Sequence, residues 1–382
     1  MAVATKAKQL AREGIDVVAF TVGEPDFDTP ENIKQAAHLA IQSGFTKYTA
    51  PAGMPELRAA VAAKFKADNG LDYAPEQVIV SNGGKQVLYT LLLTLVGEGD
   101  HVLMPAPYWV SYADQAAMCG AEPVAIDCSD APGMKLTPAL LESTMTGRAK
   151  VLILNSPCNP SGAVLTADEM RPIVELALDR DLWIISDEIY EKLIYDGLQH
   201  VSPASFSDRA MAKVITVNGV SKTYAMTGWR IGYAAGPREV ISAAVKLQSN
   251  LASGPNSIAQ KAALEALTGS QDSVEEMREA FDARRRTIVE GLNAIPGIRC
   301  EMPKGAFYAF ADCRGLLGKT YGGRKVTDSA SLCEALIEQV HVACVPGVAF
   351  GSEGYVRFSY ATSEETIRKG LERLAEFAGS AS

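Results

Sequence analysis

The stretch NGVSKTYAMTGWRIGYAAGP (218–237) decides how the rest of this chain is read. It sets a lysine, Lys222, a short way ahead of an arginine, Arg230, and then runs into a strand pattern, Arg230–Ala234. A lysine amine condenses with an aldehyde, and the planar fork of an arginine binds a phosphate. The two residues together point to a ligand that carries both groups.

Outward from this stretch, short apolar runs alternate with amphipathic segments. Strands are expected at Val78–Val80, His101–Met104, Pro123–Ile126, Lys150–Leu154, Trp183–Ser186 and Val214–Val217. Helices are expected at Gly84–Leu95, Tyr112–Cys119 and Ala167–Asp179. Continuous apolar strands separated by helices predict an α/β fold, a mostly parallel sheet with helices on both faces. In such sheets the chemistry gathers in loops beyond the strand ends. A long charged helix is expected from Ser273 to about Ile295. Beyond it, short strands (Ala306–Ala311, His341–Val345, Tyr355–Tyr360) and two helices read as a smaller α+β domain. The boundaries that follow are a large domain of residues 31–280 and a small one of residues 1–30 with 281–382. Arg284, Arg285 and Arg286 on the long helix point in different directions, so they read as a solvated face rather than an anion site.

The 382 residues, 47% of them hydrophobic, are ample for a large core. The formal net charge of −9 repels phosphate backbones, so nucleic acid is not an expected partner. Seven scattered cysteines without a C-x-x-C pair, and only four histidines, read as free thiols in a reducing compartment rather than a disulfide or zinc framework. No apolar run approaches the roughly 20 residues that span a bilayer. The N-terminal MAVATKAKQLAREG lacks the apolar centre of a signal peptide. A cytoplasmic protein with no membrane partner and no metal is expected.

Several further segments carry chemistry. Ser81-Asn82-Gly83-Gly84-Lys85-Gln86 follows a strand and opens a helix, which makes it a backbone cradle for a phosphate; the same turn also serves folds without a ligand. Its spacing is not that of a nucleotide P-loop. Asp187 ends the strand Trp183–Ser186, where a carboxylate is costly unless paired. A pyridinium N–H would pair it, and Tyr190 lies within reach of the same ring. A helix N-terminal turn would explain the Asp187-Glu188 pair equally well. Asn159, in Asn155-Ser156-Pro157-Cys158-Asn159-Pro160-Ser161-Gly162, sits in a rigid loop that can aim its amide at a ring oxygen or simply form a turn. Trp109, after Pro105-Ala106-Pro107-Tyr108, can stack on a flat ligand or fill a core. Arg357 lies within an apolar strand, where its fork fits the carboxylate of an amino acid or of the protein itself. Pyridoxal 5'-phosphate (PLP) carries the aldehyde, the phosphate and the ring that these residues call for.

Together the segments VGEPDFDTP (22–30), KYTAPAGMPELR (47–58), SNGGKQ (81–86), PYWVSY (107–112), NSPCNPSG (155–162), SDEIY (186–190), NGVSKTYAMTGWRIGYAAGP (218–237), PKGAFYAF (303–310) and VRFSYATSEE (356–365) resemble the class I aminotransferases of the fold-type I PLP enzymes, in their prokaryotic aspartate aminotransferase branch. The resemblance covers nearly the whole chain. It implies the PLP-dependent transferase fold type I, with a seven-stranded sheet. It implies that Lys222 bears the covalent link to PLP, that Asp187 pairs with the ring nitrogen, and that Tyr190 and Asn159 hydrogen-bond the phenolic oxygen. Trp109 would stack on the ring, and Gly84, Lys85, Ser221 and Arg230 would hold the phosphate. Tyr48 would reach the phosphate in the partner subunit, so that a homodimer shares its active sites. Arg357 and the Gly23 N–H would receive the substrate α-carboxylate, and Lys85 the side-chain carboxylate of an acidic substrate. Trp109 and Asn159 would also face the substrate. The implied reaction is ping-pong amino transfer from an L-amino acid, foremost aspartate, to a 2-oxo acid, foremost 2-oxoglutarate. Aromatic amino acids, prephenate, or another PLP reaction on the same fold are the alternatives. The sequence departs from the family at Cys158, where relatives often have asparagine. It also starts within the helix Ala4–Glu13, where relatives carry a further arm, so Met1 reads as a late start.

Overall fold

A computed structural model describes residues 2–381. Met1 and Ser382, at the outer ends of the expected small domain, lie outside the described residues. Seven strands build the central sheet: β1 (Val78–Ser81), β2 (His101–Ala106), β3 (Glu122–Asp127), β4 (Ala149–Asn155), β5 (Trp183–Asp187), β6 (Val214–Gly219) and β7 (Gly232–Ala235). Their spatial order is β1-β7-β6-β5-β4-β2-β3. All neighbours are parallel except β7, which runs antiparallel to both β1 and β6. This is the seven-stranded, mostly parallel α/β sheet that the strand and helix pattern predicts.

The apolar runs are continuous because both faces of the sheet are covered. Val80, Leu103, Leu152, Ile184 and Val214 belong to one core, whereas Ile79, Val102, Val151, Ile185 and Ile215 belong to another. Alternate side chains leave a strand on opposite faces, so each strand feeds both cores. The helices Gly84–Leu95 and Ala167–Asp179 form where the periodicity puts them. The second is opened by a capping box, Thr166 with Glu169.

A four-stranded antiparallel sheet follows, made of β8 (Arg299–Cys300), β9 (Tyr308–Asp312), β10 (Val345–Pro346) and β11 (Tyr355–Ser359), in the order β10-β11-β9-β8. The N-terminal Val18–Ala19 pairs in parallel with Val342–Ala343. Val18 and Phe20 share one apolar cluster with Phe281, Ile288, Phe358 and Phe377.

Two local expectations are corrected. Arg230 is not in a strand: it adopts a left-handed conformation (φ 56°), and β7 begins only at Gly232. The backbone turns there instead of extending, which lets the side chain leave the sheet. Arg285 is not solvated either. It is 1% exposed, ion-paired with Asp196 (2.7 Å) and Asp282, with its guanidinium over the Tyr195 ring. Arg284 pairs with Asp26, and of the three only Arg286 faces mainly solvent. Asp196 and Asp26 come from distant segments, which side-chain direction along the helix does not reveal, whereas Asp282 lies one turn back on the same helix.

Candidate active site

The carboxyl ends of β4, β5 and β6 stand level: Asn155 is opposite Asp187, and Asp187 is opposite Val217. The loops beyond them surround a cavity of about 520 Å³. Gly23, Gly84, Lys85, Trp109, Asn159, Asp187, Tyr190, Ser221, Lys222, Arg230 and Arg357 all line it. Of the residues expected to bind cofactor or substrate, Tyr48 lies elsewhere. It is 94% exposed, in a shallow surface cleft formed with residues 46–49 and 253–257.

Lys222 projects from the turn after β6, and its Nζ donates to the Gly23 carbonyl. Burial depresses its pKa to about 8; the Glu24 carboxylate opposes the shift, while Arg357 and Arg230 add to it. A lysine so tuned has a substantial neutral fraction near physiological pH, which a nucleophile or base requires.

Asp187 ends β5 with its side chain buried. Its Oδ2 accepts from the Tyr112 hydroxyl (2.6 Å), and its Oδ1 accepts only weakly from the Ile189 N–H (3.3 Å). Desolvation lifts its pKa to about 6, only partly offset by the Tyr112 bond. No cationic side chain pairs with it among the described residues. A buried carboxylate left this way fits a ligand that brings a protonated nitrogen.

One corner of the cavity lies where helix Gly84–Leu95 begins. Gly84 and Lys85, in its first turn and at the positive end of its dipole, line the cavity. Arg230 reaches the same corner, its Nη1 donating to the Thr227 carbonyl (2.8 Å). A Cβ on Gly83 would collide with the Arg230 guanidinium, so the glycine makes room for the cation. Arg230 has no carboxylate partner among the described residues.

At the opposite end Arg357 lies on β11, opposite Phe310 on one side and Val345 on the other. Its Nη1 donates to Asn159 Oδ1 (3.0 Å) and its Nη2 to the Thr21 carbonyl (3.0 Å). Its guanidinium lies over the Tyr308 ring (4.5 Å). Among the described residues no carboxylate pairs with it and its Nε has no partner, and burial lowers its pKa. Those features leave a buried cation unmatched by the protein and suited to an incoming carboxylate. The amide N–H₂ of Asn159 also donates to no described residue. Tyr190 shares a hydrogen bond with Tyr308 (2.8 Å). Lys85 is exposed, with its Nζ 4.9 Å from the Trp109 ring centroid.

Reading the sequence missed Tyr112, Tyr308, Glu24 and Asn155, all of which line the same cavity. Tyr112 and Tyr308 fall inside segments already recognised, PYWVSY and PKGAFYAF. Only three-dimensional contact reveals their partners.

The comparisons with known proteins agree with this geometry. The family model described as aminotransferase class I and II matches residues 15–374. An aspartate/prephenate aminotransferase from Cereibacter sphaeroides is 48% identical over 379 residues, 99% of this chain and 95% of that protein. An aspartate aminotransferase from Rhizobium meliloti is 46% identical over 375 residues, 98% of this chain and 92% of the relative. The crystal structure of the Rhizobium meliloti aspartate aminotransferase superposes with a TM-score of 0.97 at 45% identity, covering 100% of this chain and 96% of that one. With its fold, its cavity and its relatives in agreement, the chain belongs to the class I and II aminotransferases.

Proposed function

We propose that this enzyme is a PLP-dependent aminotransferase that takes the amino group of aspartate and passes it to 2-oxoglutarate in a ping-pong reaction. The observation that carries the reading is one cavity in which Lys222, Asp187, Arg230 and Arg357 converge, the last three without an ion-pair partner among the described residues. Relatives named for aspartate, alone or with prephenate, support the substrate.

The donor set fits PLP. Arg230, Ser221 and the N–H groups at Gly84 and Lys85 would hold its phosphate, Asp187 its ring nitrogen, Asn159 and Tyr190 its phenolic oxygen, and Trp109 one face. When bound, PLP supplies an electron-accepting ring that acidifies the α-carbon of an attached amino acid. The chain's own residues do the rest. Arg357 and the Gly23 N–H fix the α-carboxylate, which holds the α-carbon near Lys222. The neutral Nζ of Lys222 accepts the α-proton as general base. Ionised Asp187 keeps a proton on the ring nitrogen. Lys85 attracts the second carboxylate of an acidic substrate.

A second substrate class has one observation in its favour. Val22, Leu88, Val110, Val345 and Phe350 give the cavity an apolar wall, which suits the ring of an aromatic amino acid or prephenate.

The proposal extends to a cytoplasmic homodimer in which exposed Tyr48 enters the neighbouring subunit's site. It also divides the chain into a large unit of residues 31–280 and a small one of 1–30 with 281–382. Two apolar clusters confined to residues 31–280 support that division, while the third joins residues of 1–30 and 281–382 with Tyr190, Leu193, Tyr195 and Met277. The test is to incubate PLP-loaded protein with aspartate and 2-oxoglutarate. Glutamate and oxaloacetate should form, and Lys222→Ala should abolish them. Ammonia release without glutamate would refute amino transfer.

A further inference from the structure

We propose that Tyr112 is a positioning residue that aligns two walls of the cofactor site at once: its hydroxyl fixes the Asp187 carboxylate, and its ring braces Trp109. This rests on the PLP reading above. Tyr112 lies in the first turn of the helix Ser111–Met118, is 2% exposed, and points across the sheet to a residue far away in sequence. Its O–H donates to Asp187 Oδ2 at 2.6 Å, within the range of a charge-assisted bond. Its ring packs against that of Trp109 in a T-shaped arrangement, with centroids 5.4 Å apart and planes at 84°. Both contacts leave the same buried side chain, so the stacking face and the ring-nitrogen acceptor cannot shift independently.

The hydroxyl has a specific task. The titratable groups whose charge or hydrogen bonding acts on Asp187 are Tyr112, Tyr190, Cys158 and Lys222, with Glu188 adjacent in sequence. Among them, Tyr112 makes the one strong hydrogen bond to the carboxylate. A donated hydrogen bond favours the ionised carboxylate, and it restricts rotation about χ2. Removing the hydroxyl while keeping the ring should therefore weaken the hold on a protonated ring nitrogen most where Asp187 is hardest to ionise, at low pH. Removing the ring should weaken the stack at every pH.

The experiment compares PLP binding to cofactor-free wild-type protein, Tyr112→Phe and Tyr112→Leu between pH 6 and 8.5, with thermal unfolding as a check of folding. Tyr112→Phe should bind PLP about ten-fold more weakly at pH 6, the worth of a hydrogen bond to a charged group. That deficit should narrow as pH rises. Tyr112→Leu should add a further loss that does not vary with pH. A Tyr112→Phe deficit that is absent, or equal at all pH values, overturns the role of the hydroxyl. A Leu variant no weaker than Phe overturns the role of the ring. Borohydride reduction of the wild type should fix a phosphopyridoxyl group on Lys222. If it does not, the PLP reading and this inference fall together; if it does, the pH comparison judges the inference alone.

Discussion

Asp187 and Glu188 are neighbours at the end of one strand, both buried, and they face opposite fates. Asp187 looks into the cavity with one tyrosine for company. Glu188 looks the other way, into a closed polar cluster. There it accepts from Ser186 (2.8 Å), Ser202 (2.5 Å) and His200 (2.7 Å). Asn69 links it to Glu191, which pairs with Lys64. Glu188, Glu191 and His200 bring ligating atoms within 4.8 Å of one another, the spacing of a metal site. Lys64 already supplies a cation there. Burial pushes Glu191 upward, but Lys64 and His200 overcome it and bring its pKa to about 2. Burial also opposes protonation of His200, yet Glu188 and Glu191 outweigh it and raise its pKa. The comparison separates a polar cluster whose carboxylates the chain itself pairs from one that it leaves open for a ligand.

The largest expected effect breaks the open side. Lys222→Ala should cost at least about a thousand-fold in amino transfer, the upper part of the range for a lost general base, measured as kcat with saturating PLP. Asp187→Asn comes next and should divide function from stability. Turnover should fall about a hundred-fold or more, measured as kcat/KM for aspartate, while the cofactor-free protein becomes more stable at pH 7. The sign follows from the folded pKa of about 6, raised from 3.8. Between those values the folded state binds more protons than the unfolded chain, so stability falls as pH rises through the interval. The asparagine variant should lack that slope in denaturant titrations.

Breaking the closed side should do the reverse. Lys64→Ala strips a buried partner from Glu191 and should cost about 3–5 kcal/mol in urea unfolding, with a smaller effect on turnover. Glu191 also contributes oppositely to Asp187. Its pKa is lowered from 4.5, so its stabilisation is complete above that value and fades as pH falls toward about 2. The smallest effect sharpens the picture of Lys222. In cofactor-free protein its labelling by a small amine reagent should be half-maximal near pH 8, read by mass spectrometry, where an ordinary lysine responds above pH 10.

The contrast also marks what the sequence makes legible. Asp187 and Arg357 stand out because a charge at a strand end or inside an apolar run is costly, and Lys222 with Arg230 because a closely spaced amine and guanidinium suit one ligand bearing an aldehyde and a phosphate. The helix Gly84–Leu95 is equally legible, since its periodicity and opening glycines are local. Tyr112 is not, because a tyrosine on an amphipathic helix is ordinary until Asp187 is seen opposite it. Arg285 misled for the same reason: its partner Asp196 comes from a loop far away in sequence. Glu188 could be seen as a buried acid beside Asp187, but nothing local says that His200 and Ser202 fold back to meet it.

Gly232 carries a consequence of a different kind. It opens β7 and has no part in the cavity lining, yet a Cβ there would fall onto the backbone nitrogen of Gly84. The turn proposed to hold a phosphate is thus pressed against a neighbouring strand. A mutational scan for lost cofactor affinity would score Gly232 as a binding residue although it touches no ligand. Any redesign of the phosphate corner must treat Gly83, Gly84 and Gly232 as a single unit, inherited together or not at all.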